Sequence, residues 1–157
     1  MERFMELYET VYKDLYKFAF WYLGNPQDAE DAVGEAVLKA YENFSSLRRE
    51  DAFRAWIFRI LVNQCKGYLR QKRQKEPLKL KEEPSYQPEL CDRTMTMQLL
   101  SGLSAEERQI VAMTVFGGYK GEEIARLMNR RHSTIRSKYR RALKKLEEQI
   151  LAEEVRR

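Results

Sequence analysis

Tyr119-Lys-Gly-Glu-Glu-Ile-Ala-Arg-Leu-Met-Asn-Arg-Arg-His-Ser-Thr-Ile-Arg-Ser-Lys-Tyr-Arg-Arg-Ala-Leu-Lys-Lys-Leu146 reads as a short helix, a tight turn and a second helix with a cationic outer face. In the first helix Ile124, Leu127 and Met128 share one side, and Ala125 is small enough to admit a close neighbour. Asn129 stands where the chain must turn, and Asn tolerates the left-handed conformation that a helix C-terminus often needs. The second helix places Ile135, Tyr139, Ala142, Leu143 and Leu146 on a buried side and leaves Arg136, Ser137, Arg140, Arg141 and Lys144 outward. Such a helix-turn-helix can lay its second helix in a DNA major groove. A solvated amphipathic hairpin would share the apolar spacing. It would have no need of a helix almost free of acids until Glu147, which is the charge footprint of a nucleic-acid binder.

The remaining sequence sets the frame. A chain of 157 residues, 43% hydrophobic and 11% aromatic, is long enough for one ordinary domain or two small ones with a real core. Seven glycines and four prolines, with long stretches free of both, favour an all-α fold. The net charge of +5 is unevenly spread. Residues 1–46 carry nine acids and four bases, Lys66–Lys81 seven bases and one acid, and Lys120–Lys145 ten bases and two acids. An acidic front followed by two basic clusters predicts two kinds of partner surface, with polyanions assigned to the later ones. Cys65 and Cys91 fit no metal-ligand spacing and no disulfide framework, so the expected setting is the reduced cytoplasm. Charges at Glu6, Glu9, Lys13, Asp14 and Lys17 interrupt the apolar N-terminus, and neither a signal peptide nor a membrane span is expected.

Periodicity predicts one helix over residues 3–23, closed by Gly24, and a second that Asn25 caps and Pro26 starts, running to about Phe44. Gly34 inside this helix costs about 1 kcal/mol relative to Ala, and close packing is expected to offset it. After the polar loop Ser45–Glu50, a third helix spans about 51–74. The stretch 76–93, with Pro77, Pro84 and Pro88, reads as a linker. Ser104-Ala-Glu-Glu107 is a capping box that opens a helix bearing Ile110, Val111 and Val115, which Phe116-Gly-Gly118 ends. The expected architecture is two small helical domains, residues 1–75 and 94–157, joined by a flexible linker over 76–93.

The third helix combines Phe53, Trp56, Asn63 and a basic tail of Lys66, Arg70, Lys72 and Arg73. Aromatic faces beside cations can grip unstacked bases and phosphates. The plainer reading makes Phe53 and Trp56 core residues, which is the favoured one for Trp56, and the tail a solvated helix end, where nucleic-acid contact is favoured instead.

Taken together, these segments resemble an extracytoplasmic-function (group 4) sigma factor over almost the whole chain. Gly24–Tyr41 resembles the family's core-binding helix and Phe53–Asn63 its region for the −10 element. Glu122–Ala125, Thr134–Ser137 and Arg141–Leu146 resemble its region for the −35 element. The resemblance implies a subunit that binds RNA polymerase core, recognises a −35 duplex and melts the −10 element of promoter DNA. It implies core contacts through Asp28, Asp31, Glu35 and Lys39. It implies −10 contacts through Ser45, Ser46, Arg48, Arg49, Phe53, Trp56, Asn63, Lys66, Arg70 and Arg73. The −35 contacts would be Arg130, Arg131, Ser133, Thr134, Arg136, Ser137, Arg140 and Arg141. An anti-sigma factor is a further implied partner. The sequence differs from the family at Gly34, where a polar residue is usual, and at Asn129-Arg-Arg-His132, which replaces a Gly–apolar–Pro turn. A stand-alone helix-turn-helix regulator is the rival reading, and it leaves the acidic helix unexplained. An enzyme is not expected, for there is no nucleophile–base set and no Gly-rich phosphate loop; neither cofactor nor metal is implied.

Overall fold

The computed structural model describes residues 1–75 and 93–156, and the described residues are helical with no strand. The expected linker and Cys91 lie outside them. Among the described residues eight α-helices follow one another: α1 (Glu2–Glu9), α2 (Tyr12–Leu23), α3 (Pro26–Glu42), α4 (Phe53–Lys75), α5 (Arg93–Ser101), α6 (Ala105–Val111), α7 (Gly121–Met128) and α8 (His132–Arg156).

The single N-terminal helix read from periodicity is two helices. The Thr10 hydroxyl donates to the Leu7 carbonyl at 2.6 Å, and the Thr10 and Val11 amides turn back to Leu7 and Tyr8. A hydroxyl that competes for a helical carbonyl, next to a β-branched residue, favours a break at this point. The bend carries Phe4 into an aromatic cluster, with Tyr41, Phe44 and Phe53 edge-on to its ring at centroid distances of 5.4, 5.3 and 5.7 Å.

Gly24 ends α2 at φ 74°, and the Asn25 side chain accepts the Asp28 amide at 3.0 Å to start α3, with Pro26 in the first turn. Gly34 lies on the exposed side of α3, where an added Cβ would meet nothing within 4 Å. Among the described residues the expected compensation by close packing is therefore absent, and the helix bears the cost. Residues 43–52 form two short 3₁₀ turns, Phe44–Ser46 and Glu50–Ala52, before α4.

In the C-terminal half the capping box is present: Ser104 N–H donates to Glu107 Oε1 at 2.9 Å and Glu107 N–H to Ser104 Oγ at 3.2 Å. α6 widens into a π-turn, Ala112–Phe116, where the Gly117 amide reaches back five residues to Ala112. This widening turns Val115 outward, to 55% exposure. Asn129 adopts φ 54° and ends α7 as read, and α8 then runs unbroken to Arg156. Leu143, expected on the buried side of α8, is 43% exposed because the helix meets its neighbours along Ile135 and Ala142 instead.

α2 decides how the halves meet. It is buried nearly all round, through Leu15, Tyr16, Phe18, Ala19, Phe20, Tyr22 and Leu23. A helix apolar on every side needs cover on every side. One side of α2 packs on α3 and α4, the other on α6 and the π-turn, so a single core joins both halves.

Candidate nucleic-acid interface and partner faces

On α8, Ile135 and Ala142 are 2% and 0% exposed and fix the helix on α6 and α7. That anchoring turns Arg136, Ser137, Arg140 and Arg141 to solvent along one face, with Arg131 and Ser133 exposed at its start and Thr134 half-buried. Arg130 does not join this free face. Its Nε donates to Glu106 Oε1 at 2.7 Å, and Lys138 donates to the other oxygen of the same carboxylate. Those contacts, Lys138 foremost, hold the Glu106 carboxyl below its ordinary range. Lys145 likewise bonds Glu107 at 2.8 Å. α6 thus takes up three of the cations, while the face that would meet bases keeps its own unpaired among the described residues. No simple spacing in sequence foretells this division, because Glu106 lies 24 residues from Arg130.

The residues expected to handle −10 DNA separate into two groups. Phe53 is 2% exposed inside the aromatic cluster, so it is a core residue and not a DNA contact. Its place at the first turn of α4 puts it under Phe4 and Phe44. Trp56, Asn63 and Ser46 do come together, lining with Lys39, Asn43 and Gln64 an open cleft of about 410 Å³ between the ends of α3 and α4 and the first 3₁₀ turn. Half-buried Trp56 offers a ring to this cleft, and exposed Asn63 an amide. A flipped base needs a stacking surface and a hydrogen-bonding edge of this kind. Asn43 and Gln64 were not singled out from sequence, and their signal was weak: Gln64 merely follows Asn63. Ser45, Arg48, Arg49 and Arg70 are exposed, and Arg49 pairs with Asp51 at 2.6 Å. The Arg73 side chain lies outside the described residues.

Lys39 belongs with the cleft rather than with the acidic face of α3, since its Nζ donates to Gln64 Oε1 at 2.9 Å. Asp28 is displaced from that face as well. It is 5% exposed, accepting the Tyr68 hydroxyl at 2.9 Å and Lys72 at 3.4 Å. Burial, then the Asp28 carboxylate, push the Tyr68 hydroxyl above its ordinary value. What remains on the outer face of α3 is acidic and partly apolar: exposed Asp31, Glu35 and Glu42 around Gly34, with Leu38 53% and Tyr41 42% exposed.

Lys66 faces inward across the molecule, donating to the Leu127 carbonyl at the end of α7. Arg54, not singled out from sequence, donates to the Phe116 carbonyl at 2.8 Å and to Asp14 at 3.0 Å. Cys65 is fully buried, as read, and burial pushes its thiol up. Among the described residues no cluster of His, Cys, Asp and Glu could hold a metal ion.

Residues 7–75 match the sigma-70 region 2 family and residues 93–146 the sigma-70 region 4 family. The RNA polymerase sigma factor SigV of Bacillus subtilis is 27% identical over 151 residues, covering 91% of this chain and 88% of its own. The ECF RNA polymerase sigma-E factor of Escherichia coli K12 is 29% identical over 143 residues, covering 78% and 74%. Among solved structures, the sigma factor RpoE in complex with the anti-sigma factor NepR from Bartonella quintana has a similar fold, with TM-score 0.69 at 23% identity over 94% of this chain and 96% of that one. CnrH, solved with the cytosolic domain of CnrY, matches with TM-score 0.59 at 22% identity over 97% and 90%.

Proposed function

The chain belongs to the extracytoplasmic-function class of sigma-70 factors, and on that premise we propose how its surfaces share the work of promoter-directed initiation. It joins RNA polymerase core, recognises a −35 duplex and melts the −10 element. The observation that carries this reading is the placement of three chemically different faces on three helices: acidic on α3, aromatic and amide-bearing beside α4, cationic on α8.

Asp31 and Glu35, with Leu38 and Tyr41 between and beside them, form the core-binding face. Charges steer the encounter, and partly exposed apolar side chains supply area to bury. The Trp56–Asn63 cleft takes a base of the melted strand, with Ser45, Ser46, Arg48 and Arg49 at its loop and Arg70 toward the strand's phosphates. Arg136, Ser137, Arg140 and Arg141 read the −35 duplex, where an Arg side chain can pair bidentately with guanine. Arg131, Ser133 and Thr134 lie at the start of α8, where backbone amides favour phosphate. The role is one of binding without catalysis. An anti-sigma factor is the regulatory partner, by analogy with the RpoE–NepR complex. The place of action is the cytoplasm, where the polymerase works; no helix among the described residues is long and apolar enough to cross a membrane.

Run-off transcription with core polymerase and a library of genomic promoters tests this reading. Initiation at a defined promoter set, absent with core alone, is the expected result. DNA binding that neither needs nor recruits core would overturn it in favour of a stand-alone regulator.

A further inference from the structure

Two adjacent residues of α1 hold the two ends of the loop that would receive a −10 base. The Arg3 guanidinium forks onto Glu50, its Nε donating to Oε1 at 2.9 Å and its Nη2 to Oε2. Its remaining nitrogen, Nη1, donates to Glu6 Oε2 at 2.7 Å, one turn along the same helix. Phe4 is 2% exposed and meets Phe44 edge-on, with centroids 5.3 Å apart. Phe44 and Glu50 bracket Ser45–Arg49. Between them the loop's hydrogen bonds are local among the described residues. The Ser46 hydroxyl donates to the Asn43 carbonyl at 2.6 Å, the Leu47 amide to Phe44, and Arg49 to Asp51.

Phe4 also supports the cleft from beneath. It lies 5.7 Å from Phe53, and Phe44 and Phe53 both pack on Trp56, at 6.4 and 5.9 Å. Trp56 and Ser46 line the cleft, and no α1 side chain does. α1 therefore steadies both the ring and the loop of one site from outside it. A loop that samples many shapes must be frozen at each binding event, which weakens binding. A bidentate guanidinium–carboxylate pair fixes orientation as well as distance. It also neutralises Glu50, whose charge opposes the phosphates that Arg48 and Arg49 attract. The pair is exposed, so it serves the geometry of the loop more than the stability of the fold.

Resting on the sigma-factor reading above, we propose that Arg3 and Phe4 are positioning residues for the −10 strand: α1 clamps the loop 45–50 in its base-receiving shape, with the Arg3–Glu50 fork at one end and the Phe4–Phe44 contact at the other. Arg3 acts through Glu50, and Phe4 through Phe44 and Trp56.

The test uses the full chain as the parent, as Arg3→Glu, as Glu50→Arg and with the two changes combined. Hydrogen exchange of residues 45–50 in the free chain reports the clamp. Permanganate reactivity of −10 thymines with core polymerase reports the strand. Each single reversal is expected to speed loop exchange and slow open-complex formation about tenfold, because only chains with the loop in place are competent. The combined change re-forms the pair and should bring both readouts to within about threefold of the parent. Melting temperature should stay parental throughout, since the pair lies on the surface. Glu50→Arg separates the clamp from simple charge. It adds a cation beside the strand, so charge alone predicts faster opening and the clamp predicts slower. Faster or unchanged opening in Glu50→Arg, no recovery in the combined form, or loop exchange that neither reversal alters overturns the proposal. If a reversal unfolds the chain, Arg3→Gln and Glu50→Gln should move both readouts the same way by less. A parent that opens no promoter with core overturns the sigma-factor reading instead, and loop exchange then judges the clamp by itself.

Discussion

The Tyr68 hydroxyl donates to the Asp28 carboxylate at 2.9 Å, tying the far end of α4 to the first turn of α3. Asp28 is 5% exposed and also holds Lys72, so its carboxylate is part of the packing of these helices rather than of their outer surface. Asp28→Ala leaves the Tyr68 hydroxyl and the Lys72 ammonium without that acceptor. A loss of about 1–3 kcal/mol is expected in chemical denaturation, with core affinity of the folded fraction unchanged. Loss of core affinity at unchanged stability would return Asp28 to the docking face.

Asp31 and Glu35 should behave in the opposite way. Both are exposed, and the double change Asp31→Lys, Glu35→Lys is expected to abolish capture by core polymerase while circular dichroism and melting temperature stay native. Capture at the parental level would show that the acidic face of α3 is not where core binds.

Arg136 and Arg141 are exposed on α8 and pair with no acid among the described residues, whereas Arg130 is held by Glu106. Arg136→Ala and Arg141→Ala are each expected to lower −35-dependent transcription by the equivalent of about 1–3 kcal/mol and to relax base preference. Arg130→Ala should cost about 0.2–1 kcal/mol of stability and leave the preference intact. Selectivity retained in both outer variants and lost in the third would shift the reading face toward the turn.

At the cleft, Asn63→Ala or alanines across Ser45–Glu50 should slow open-complex formation while closed-complex affinity stays within a few-fold. Permanganate reactivity of −10 thymines reports this directly. Unaltered reactivity in a stably folded loop variant would leave the loop a connector only.

Acid should weaken the C-terminal half through Glu106. Lys138 and then Arg130 lower its carboxyl from the ordinary 4.5, so the stability it contributes is present above that value and fades as pH falls through the lower folded one. The stability difference between parent and Glu106→Gln should therefore shrink in denaturation series taken below about pH 5, modestly, since the site is partly exposed. A difference constant with pH would mean that the carboxylate charge contributes nothing there.

The sequence by itself determined the helices, the helix-turn-helix, its left-handed turn at Asn129, the Ser104–Glu107 cap and the cationic face of α8. These follow from periodicity and capping, which are local: each depends on residues within a turn or two of one another. The break at Thr10 and the π-turn after α6 escaped such reading because they add or lose part of a turn without disturbing the apolar rhythm. Tertiary structure alone decided which polar and aromatic residues stay free. Phe53 and Asp28 look like contacts in sequence and are buried, the one beneath Phe4 and the other between Asn25, Tyr68 and Lys72. Arg130 looks like its neighbours until Glu106 is brought beside it. The seat of α7 on α4 depends on Lys66 meeting Leu127 from 61 residues away. Burial and ion pairing across such separations are set by how whole helices pack, which no stretch of a few turns encodes alone.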